Sequence, residues 1–90
     1  MSNISKAKAL ILAMKQEDEF KMWMVTNKIK YGLTDQNIAD KLHMTRQTVT
    51  NHYSGRSSVP FVYCMAYCAL FGNEDDPEKI WKMANDRNAP

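Results

Sequence analysis

The chain has 90 residues, of which 44% are hydrophobic and 24% charged, and its formal net charge is +2. This length and balance predict one folded globular domain over residues 1–90 and exclude an intrinsically disordered chain. No apolar run approaches the roughly 20 residues that a membrane-spanning helix requires. The N-terminal stretch MSNISKAKALILAMKQEDE has no small-residue cleavage site, so we expect a cytoplasmic protein without a leader and without a membrane partner.

The charges are unevenly distributed along the chain. Residues 1–60 hold nine Lys and Arg against five Asp and Glu, whereas residues 61–90 hold three against five. This asymmetry permits a polyanionic partner on the N-terminal two-thirds of the chain, but it does not establish one.

Helical periodicity recurs along the chain, and sustained period-two alternation is absent. Residues 1–16 carry apolar side chains at helical spacing and predict an extra N-terminal helix. A second segment begins at the acidic residues Asp18 and Glu19 and runs to about Tyr31, where Gly32 ends it. The sequence leaves open whether these two segments form one bent helix or two.

The middle of the chain predicts two short helices, for which Thr34 and Thr45 are good N-caps. The side chains expected to face inward are Ile38, Ala39 and Leu42 in the first helix and Val49, His52 and Tyr53 in the second. Because only His43 and Met44 separate the two helices, they must cross at a steep angle. That geometry is a helix-turn-helix at about residues 35–53.

The rest of the chain predicts a loop and two further helices. The loop is predicted at SGRSSVP. Pro60 suits the first position of the next helix, which extends to Phe71 and stops at Gly72. Asp76 and Pro77 then begin a last helix. We therefore predict a compact all-α domain of five or six helices, with its core in residues 18–72 and a C-terminal helix in residues 73–90.

Two cysteines, Cys64 and Cys68, stand four residues apart in an apolar run. Neighbours on one helix face cannot usually close a disulfide without distorting the helix, and two ligands do not make a zinc site. We expect both thiols to be reduced and packed in the core, and we expect no bound metal.

The second helix of the predicted helix-turn-helix carries few charges on its outer face. If Val49 points to the core, Gln47 and Asn51 point nearly the opposite way, with Thr50 beside them and Arg46 at the N-terminal end. A side-chain amide matches N6 and N7 of adenine, Arg matches O6 and N7 of guanine, and Thr offers a hydroxyl and a methyl. These residue types suit a helix that reads base edges in a major groove. The alternative is an ordinary solvated helix surface.

The stretch LTDQNIADKLHMTRQTVTNHYSGRSSVP resembles the Cro/repressor-type helix-turn-helix of phage and bacterial regulators, the lambda-repressor-like or XRE family. The resemblance covers about residues 18–72 and includes VPFVYCMAYCALFG, where the family has its fourth helix. The matched positions are Leu33, Thr34, Ile38, Ala39, Leu42, Val49 and Gly55.

This resemblance implies a lambda-repressor-like fold and a sequence-specific transcriptional regulator, most simply a phage or prophage repressor that binds a double-stranded DNA operator without a cofactor. It implies that base edges are contacted by Arg46, Gln47, Thr50 and Asn51. It implies that phosphates are contacted by Gln36, Thr45, Arg56, Ser57 and Ser58.

Three positions depart from the family pattern. His43 stands where the family usually has a glycine in left-handed conformation, although histidine is among the residues enriched there. His52 replaces a large apolar residue and is expected to be a partly buried neutral imidazole. Asp35 stands where the family often has a phosphate-contacting Gln, and its charge would repel DNA, so that Gln36 and the backbone amides of the helix would take over the anchoring.

The C-terminal part of the chain suggests a homodimer. Phe61 to Phe71 contains no charged residue, and a helix that is apolar on all sides is usually buried on all sides. A domain of this size can hardly cover every face of such a helix. We therefore expect a contact between two copies through this helix or through Ile80, Trp81 and Met83, with the N-terminal helix as another candidate.

Other functions stay open on the sequence. A transcription activator of the same fold is one, and an antitoxin-like protein-interaction module that also binds DNA is another. An enzyme is not expected, because the chain has no Ser/His/acid set, paired buried carboxylates or phosphate-cradling glycine loop. The lysines Lys21, Lys28 and Lys30 read as plain solvated charges and not as DNA contacts.

Overall fold

The computed structural model describes residues 18–86, so the helix predicted within residues 1–16 lies outside the described part of the chain. The described part forms five helices and contains no strand, which confirms the predicted all-α fold class. The helices are α1 (Glu19–Tyr31), α2 (Asp35–Leu42), α3 (Arg46–Ser54), α4 (Phe61–Leu70) and α5 (Pro77–Asp86). None of these helices is long and apolar enough to cross a membrane.

Local hydrogen bonds begin and end α1 where the sequence predicts. The Asp18 carboxylate accepts the Lys21 amide at 3.0 Å, and the extended backbone of Asp18 shows that α1 does not continue towards the N-terminus. The helix α1 therefore begins at Glu19, and the question whether residues 4–31 form one helix or two lies outside the described residues. At the other end Gly32 adopts the left-handed conformation, with φ 64°. A glycine tolerates this backbone without steric cost.

The starts of α2 and α4 differ in their caps. The Thr34 hydroxyl accepts the Asn37 amide at 3.0 Å, while the Asn37 side chain accepts the Thr34 amide, which forms a capping box. Pro60 was predicted to be the first helical residue, but its backbone is extended and the helix begins at Phe61. Pro60 instead precedes the helix, where its missing N–H costs nothing because the first amides have no intrahelical acceptor.

One core joins all five helices. Contacts between α2 and α3, between α4 and α5, and from α1 to both α3 and α5 enclose it. The buried hydrophobic residues are Phe20, Met24, Ile38, Ala39, Val49, Val59, Cys64, Tyr67, Cys68, Phe71, Ile80 and Ala84. Burial of a Phe, Met, Val or Ile side chain contributes about 1.5–3 kcal/mol each, so this cluster is the main source of stability.

The cysteines behave as small apolar core residues. Cys64 and Cys68 are both buried and free, in agreement with the predicted reduced thiols. Desolvation by burial raises the pKa of each thiol to about 11. The thiolate, which is the reactive and metal-binding form, is therefore scarce at neutral pH.

Polar contacts attach the chain segments around α4 to the neighbouring helices. The Trp23 indole N–H donates to Asp75 at 2.9 Å, and the Tyr31 hydroxyl donates to the carbonyl of Phe71 at 2.9 Å. The Asn85 amide accepts the N–H of Val59 at 2.9 Å and donates to its carbonyl at 3.0 Å. The loop that follows α3 is thereby held against α5.

Candidate nucleic-acid interface

A three-residue turn joins α2 to α3. His43 adopts the predicted left-handed conformation, with φ 55° and ψ 46°, and the Met44 amide donates to the carbonyl of Ala39 at 2.9 Å. Thr45 caps α3 as predicted, because its hydroxyl accepts the Thr48 amide at 3.1 Å. The two helices predicted at about residues 35–53 therefore lie at 35–54 in the structure, and we call this segment, with the turn between its helices, the helix-turn-helix.

The inner side of α3 is anchored in the core. Val49 is fully buried and His52 is 3% exposed, which places the imidazole in the interior as predicted. His52 Nδ1 lies 2.7 Å from the hydroxyl of the buried Tyr67, and the imidazole also packs against the Tyr63 ring. A buried hydrogen bond has a strict geometry, so this contact defines which side of α3 faces solvent.

The four residues predicted to contact base edges lie together on the outer side of α3. Arg46 and Gln47 are exposed, whereas Thr50 and Asn51 are half-buried. The Gln47 amide donates to the Asn51 side-chain carbonyl at 3.0 Å, so the two amides form a connected pair. This pair still offers an acceptor on Gln47 and N–H donors on both side chains, which is the combination that an adenine edge requires.

The residues predicted to contact phosphates are all exposed: Gln36, Thr45, Arg56, Ser57 and Ser58. Gln36 also donates to Asp40 at 2.8 Å, within α2. Within residues 18–86 neither Arg46 nor Arg56 forms an ion pair with a carboxylate. These two cations and the N-terminal amides of α3 are groups that favour a nearby anion.

Asp35 differs from its sequence expectation. Its carboxylate forms an ion pair with Lys28 of α1 and accepts hydrogen bonds from the Thr50 hydroxyl at 3.0 Å and the Tyr53 hydroxyl at 2.6 Å. The side chains of Asp35 and Lys28 are only 16% and 19% exposed. Lys28 is therefore not the plain solvated charge that we expected. It neutralises the carboxylate, which removes the reason to expect that Asp35 repels DNA.

The ionisation states of Asp35 and Tyr53 follow from these contacts. Burial by itself raises the pKa of Asp35, but the hydrogen bonds from Lys28, Tyr53 and Thr50 and the charge of Lys28 outweigh it, so the pKa is lowered from 3.8. Burial and the Asp35 carboxylate both raise the pKa of Tyr53. At neutral pH Asp35 is thus a charged acceptor and Tyr53 keeps its proton.

Sequence reasoning did not predict the contacts that Lys28 and Tyr53 make with Asp35. Lys28 also lies over the Tyr53 ring, with its ammonium 4.8 Å from the ring centroid. Thr50 and Tyr53 stand three residues apart on α3 and therefore share one face of the helix, which indicates a common partner on a neighbouring helix. The direction in which α3 crosses α2 was needed to identify that partner as Asp35.

The expected dimer residues fall into different environments. Ile80 is 2% exposed and belongs to the core of the chain itself, so it offers no surface to a second copy. Met83 is half-buried and Trp81 is 38% exposed. As expected for a domain of this size, α4 is not covered on all sides within the chain: Phe61, Val62 and Met65 are 41%, 63% and 48% exposed. Trp81 packs edge-on against Phe61, with 5.9 Å between the ring centroids. We call Phe61, Val62, Met65 and Trp81 the α4–α5 patch.

Within residues 18–86 no group of three or more His, Cys, Asp or Glu side chains could hold a metal ion. Comparison with known proteins finds no matching family model, no matching curated protein and no matching solved structure. The assignment of a function therefore depends on the geometry and chemistry of the helix-turn-helix.

Proposed function

We propose that the protein is a sequence-specific DNA-binding transcriptional regulator, a phage or prophage repressor of the Cro/repressor type. In this proposal α3 lies in the major groove of a double-stranded operator. Arg46, Gln47, Thr50 and Asn51 contact base edges, and bound protein represses by competing with polymerase for the promoter. No cofactor and no catalytic step are involved.

One observation carries the proposal: the outer side of α3 presents uncharged hydrogen-bonding groups beside a cation, on a helix whose inner side is buried. Amides and hydroxyls that contacted only water would not need a helix whose position is fixed by buried contacts. Base recognition requires both features, because each base pair offers a distinct pattern of donors and acceptors at defined positions. The buried contacts of Val49 and His52 supply the rigidity.

The primary test determines whether the amides select bases. A binding site would be obtained by in vitro selection from randomised duplexes, and Kd would be measured for that duplex and for unrelated DNA. We expect Gln47→Ala and Asn51→Ala each to weaken binding to the selected duplex by about 1–3 kcal/mol, with a smaller effect on unrelated DNA. Asn27→Ala, on α1, is the matched amide control and should bind like the wild type.

The hydrogen bond between the two amides makes a further outcome specific. Because Gln47 and Asn51 are paired at 3.0 Å, their effects should not add, and the double variant should lose less than the two single variants together. Equal losses on selected and unrelated DNA would contradict base reading by these residues.

Salt dependence separates phosphate contacts from base contacts. Arg56→Ala should weaken binding to all duplexes similarly and lower the slope of log K against log salt by about one unit. Lys79→Ala removes an exposed cation of α5 and serves as the control with unchanged slope. A wild-type protein that shows no salt-dependent DNA binding would exclude the proposal.

We further propose that the regulator binds as a homodimer through the α4–α5 patch. Three of the four patch residues lie on α4, a helix without a charged residue, so two copies can meet there without burying an unpaired charge. A large aromatic such as Trp81 contributes disproportionately once it is desolvated. Two linked reading helices also double the contacts with DNA, and a two-fold axis then requires a near-palindromic operator.

Analytical ultracentrifugation tests this association with a matched pair of variants. The wild type should sediment at twice the chain mass of 10.4 kDa. Met65→Lys should sediment as a monomer, whereas Ile29→Lys, which changes a 76% exposed residue of α1, should remain dimeric. A monomeric wild type, both free and bound to DNA, would exclude the dimer and leave the DNA-binding proposal standing.

A further inference from the structure

The proton of the Thr50 hydroxyl is directed into the protein. Oγ1 of Thr50 lies 3.0 Å from Oδ2 of Asp35 and 3.1 Å from the backbone carbonyl oxygen of Arg46. A carboxylate and a carbonyl can only accept hydrogen bonds, and a hydroxyl has one proton to donate. Whichever of these two oxygens receives that proton, Thr50 has no proton left for a ligand on its solvent side.

The same carboxylate oxygen has no proton to offer a ligand that approaches Thr50. Oδ2 of Asp35 also accepts the Tyr53 hydroxyl at 2.6 Å, while Lys28 is paired with the other oxygen, Oδ1. Thr50 therefore presents only lone pairs on its solvent side. A hydrogen-bond donor is favoured there, and a second acceptor is repelled.

We propose that the Asp35 carboxylate and the Arg46 carbonyl leave Thr50 able only to accept a hydrogen bond from DNA, so that the base it meets presents an exocyclic amino group. This inference rests on the proposed DNA-binding function and specifies its base preference. In the major groove the eligible groups are N6 of adenine and N4 of cytosine, whereas O6 of guanine and O4 of thymine are acceptors. A threonine whose hydroxyl proton is not held by such acceptors could contact either kind of group. Asp35, which shares this role with the carbonyl of Arg46, is thus a positioning residue that acts through Thr50.

The first experiment locates the base that Thr50 meets. Sites would be selected from randomised duplexes by the wild type and by Thr50→Val, which keeps the side-chain shape and β-branching and lacks the oxygen. One position should lose its preference in the variant. In the wild-type site this position should carry adenine or cytosine on the contacted strand. Thermal unfolding of both proteins establishes that the variant is folded under the binding conditions.

The second experiment removes only the amino group. Purine replaces adenine, or 2-pyrimidinone replaces cytosine, at that position, and the same analogue at an uncontacted position controls for duplex stability. The wild type and Thr50→Ser should each lose about fivefold in affinity, as expected for one neutral hydrogen bond, and Thr50→Val should lose nothing.

The outcomes separate this inference from the function on which it rests. Guanine or thymine at the Thr50 position, equal loss by wild type and Thr50→Val, or no position relaxed in Thr50→Val would each overturn the acceptor-only reading while selective DNA binding persists. A wild-type protein that selects no site from the randomised duplexes would overturn the proposed function, and this inference with it.

Discussion

Replacement of Asp35 by alanine should strongly destabilise the fold, because its carboxylate joins three helices. The variant loses the ion pair with Lys28 and the hydrogen bonds from Thr50 and Tyr53. Exposed ion pairs contribute about 0.2–1 kcal/mol, whereas breaking a buried pair costs about 3–5 kcal/mol. The two charged side chains are 16% and 19% exposed, which is between these cases. We expect a loss of about 2–3 kcal/mol in the free energy of unfolding.

Urea unfolding at neutral pH measures this loss. The midpoint should fall while the slope m stays unchanged, because the change affects stability and not the surface exposed on unfolding. Asp40→Ala is the matched control, since Asp40 is exposed on the same helix and, within residues 18–86, its carboxylate accepts only the Gln36 amide. Its loss should stay below about 0.5 kcal/mol.

The direction of the pKa shift of Asp35 determines how its contribution to the free energy of unfolding changes with pH. The pKa of Asp35 in the folded protein lies below the ordinary value of 3.8, so the folded state favours the charged carboxylate. Its contribution is fully present above pH 3.8 and is lost as the pH falls through the lower, folded-state pKa. The difference in stability between the wild type and Asp35→Asn should therefore be largest at neutral pH and shrink in acid.

Two results would refute this reasoning. If Asp35→Ala lost no more stability than Asp40→Ala, the contacts around Asp35 would not hold α1, α2 and α3 together. If the advantage of the wild type over Asp35→Asn increased as the pH fell, the folded state would favour the protonated carboxyl, and the assigned hydrogen-bond directions would be wrong.

Two further substitutions test the turn and the core beneath α3. His43→Gly relieves left-handed strain of about 1–2 kcal/mol and adds unfolded-state entropy of about 0.4–1 kcal/mol, so thermal unfolding should show a neutral to slightly stabilising change; a loss of about 2 kcal/mol or more would reveal contacts of the imidazole that offset the strain. Tyr67→Phe removes the hydroxyl 2.7 Å from His52 Nδ1 and should cost about 1–3 kcal/mol. Tyr63→Phe, beside the same imidazole, should cost below about 0.5 kcal/mol, and equal losses would show that the hydroxyl of Tyr67 is not the cause.

The sequence by itself determined the features that depend on neighbours three or four residues away. The caps at Thr34 and Thr45 and the stop at Gly32 follow from hydrogen bonds within a single turn of chain. The left-handed conformation of His43 was an expectation from the family resemblance, which places a left-handed glycine at this position. The grouping of Gln47 with Asn51 follows in the same way from the helical repeat.

The tertiary structure decided everything that depends on how the helices cross. Thr50 and Tyr53 meet Asp35 across 15 and 18 residues of sequence, and the ion pair with Lys28 adds a third helix. No local pattern distinguishes a carboxylate that repels DNA from one that is neutralised and directs a hydroxyl proton. Likewise, α4 is uniformly apolar in sequence, so only its packing against the neighbouring helices decides which of its faces enters the core and which remains exposed.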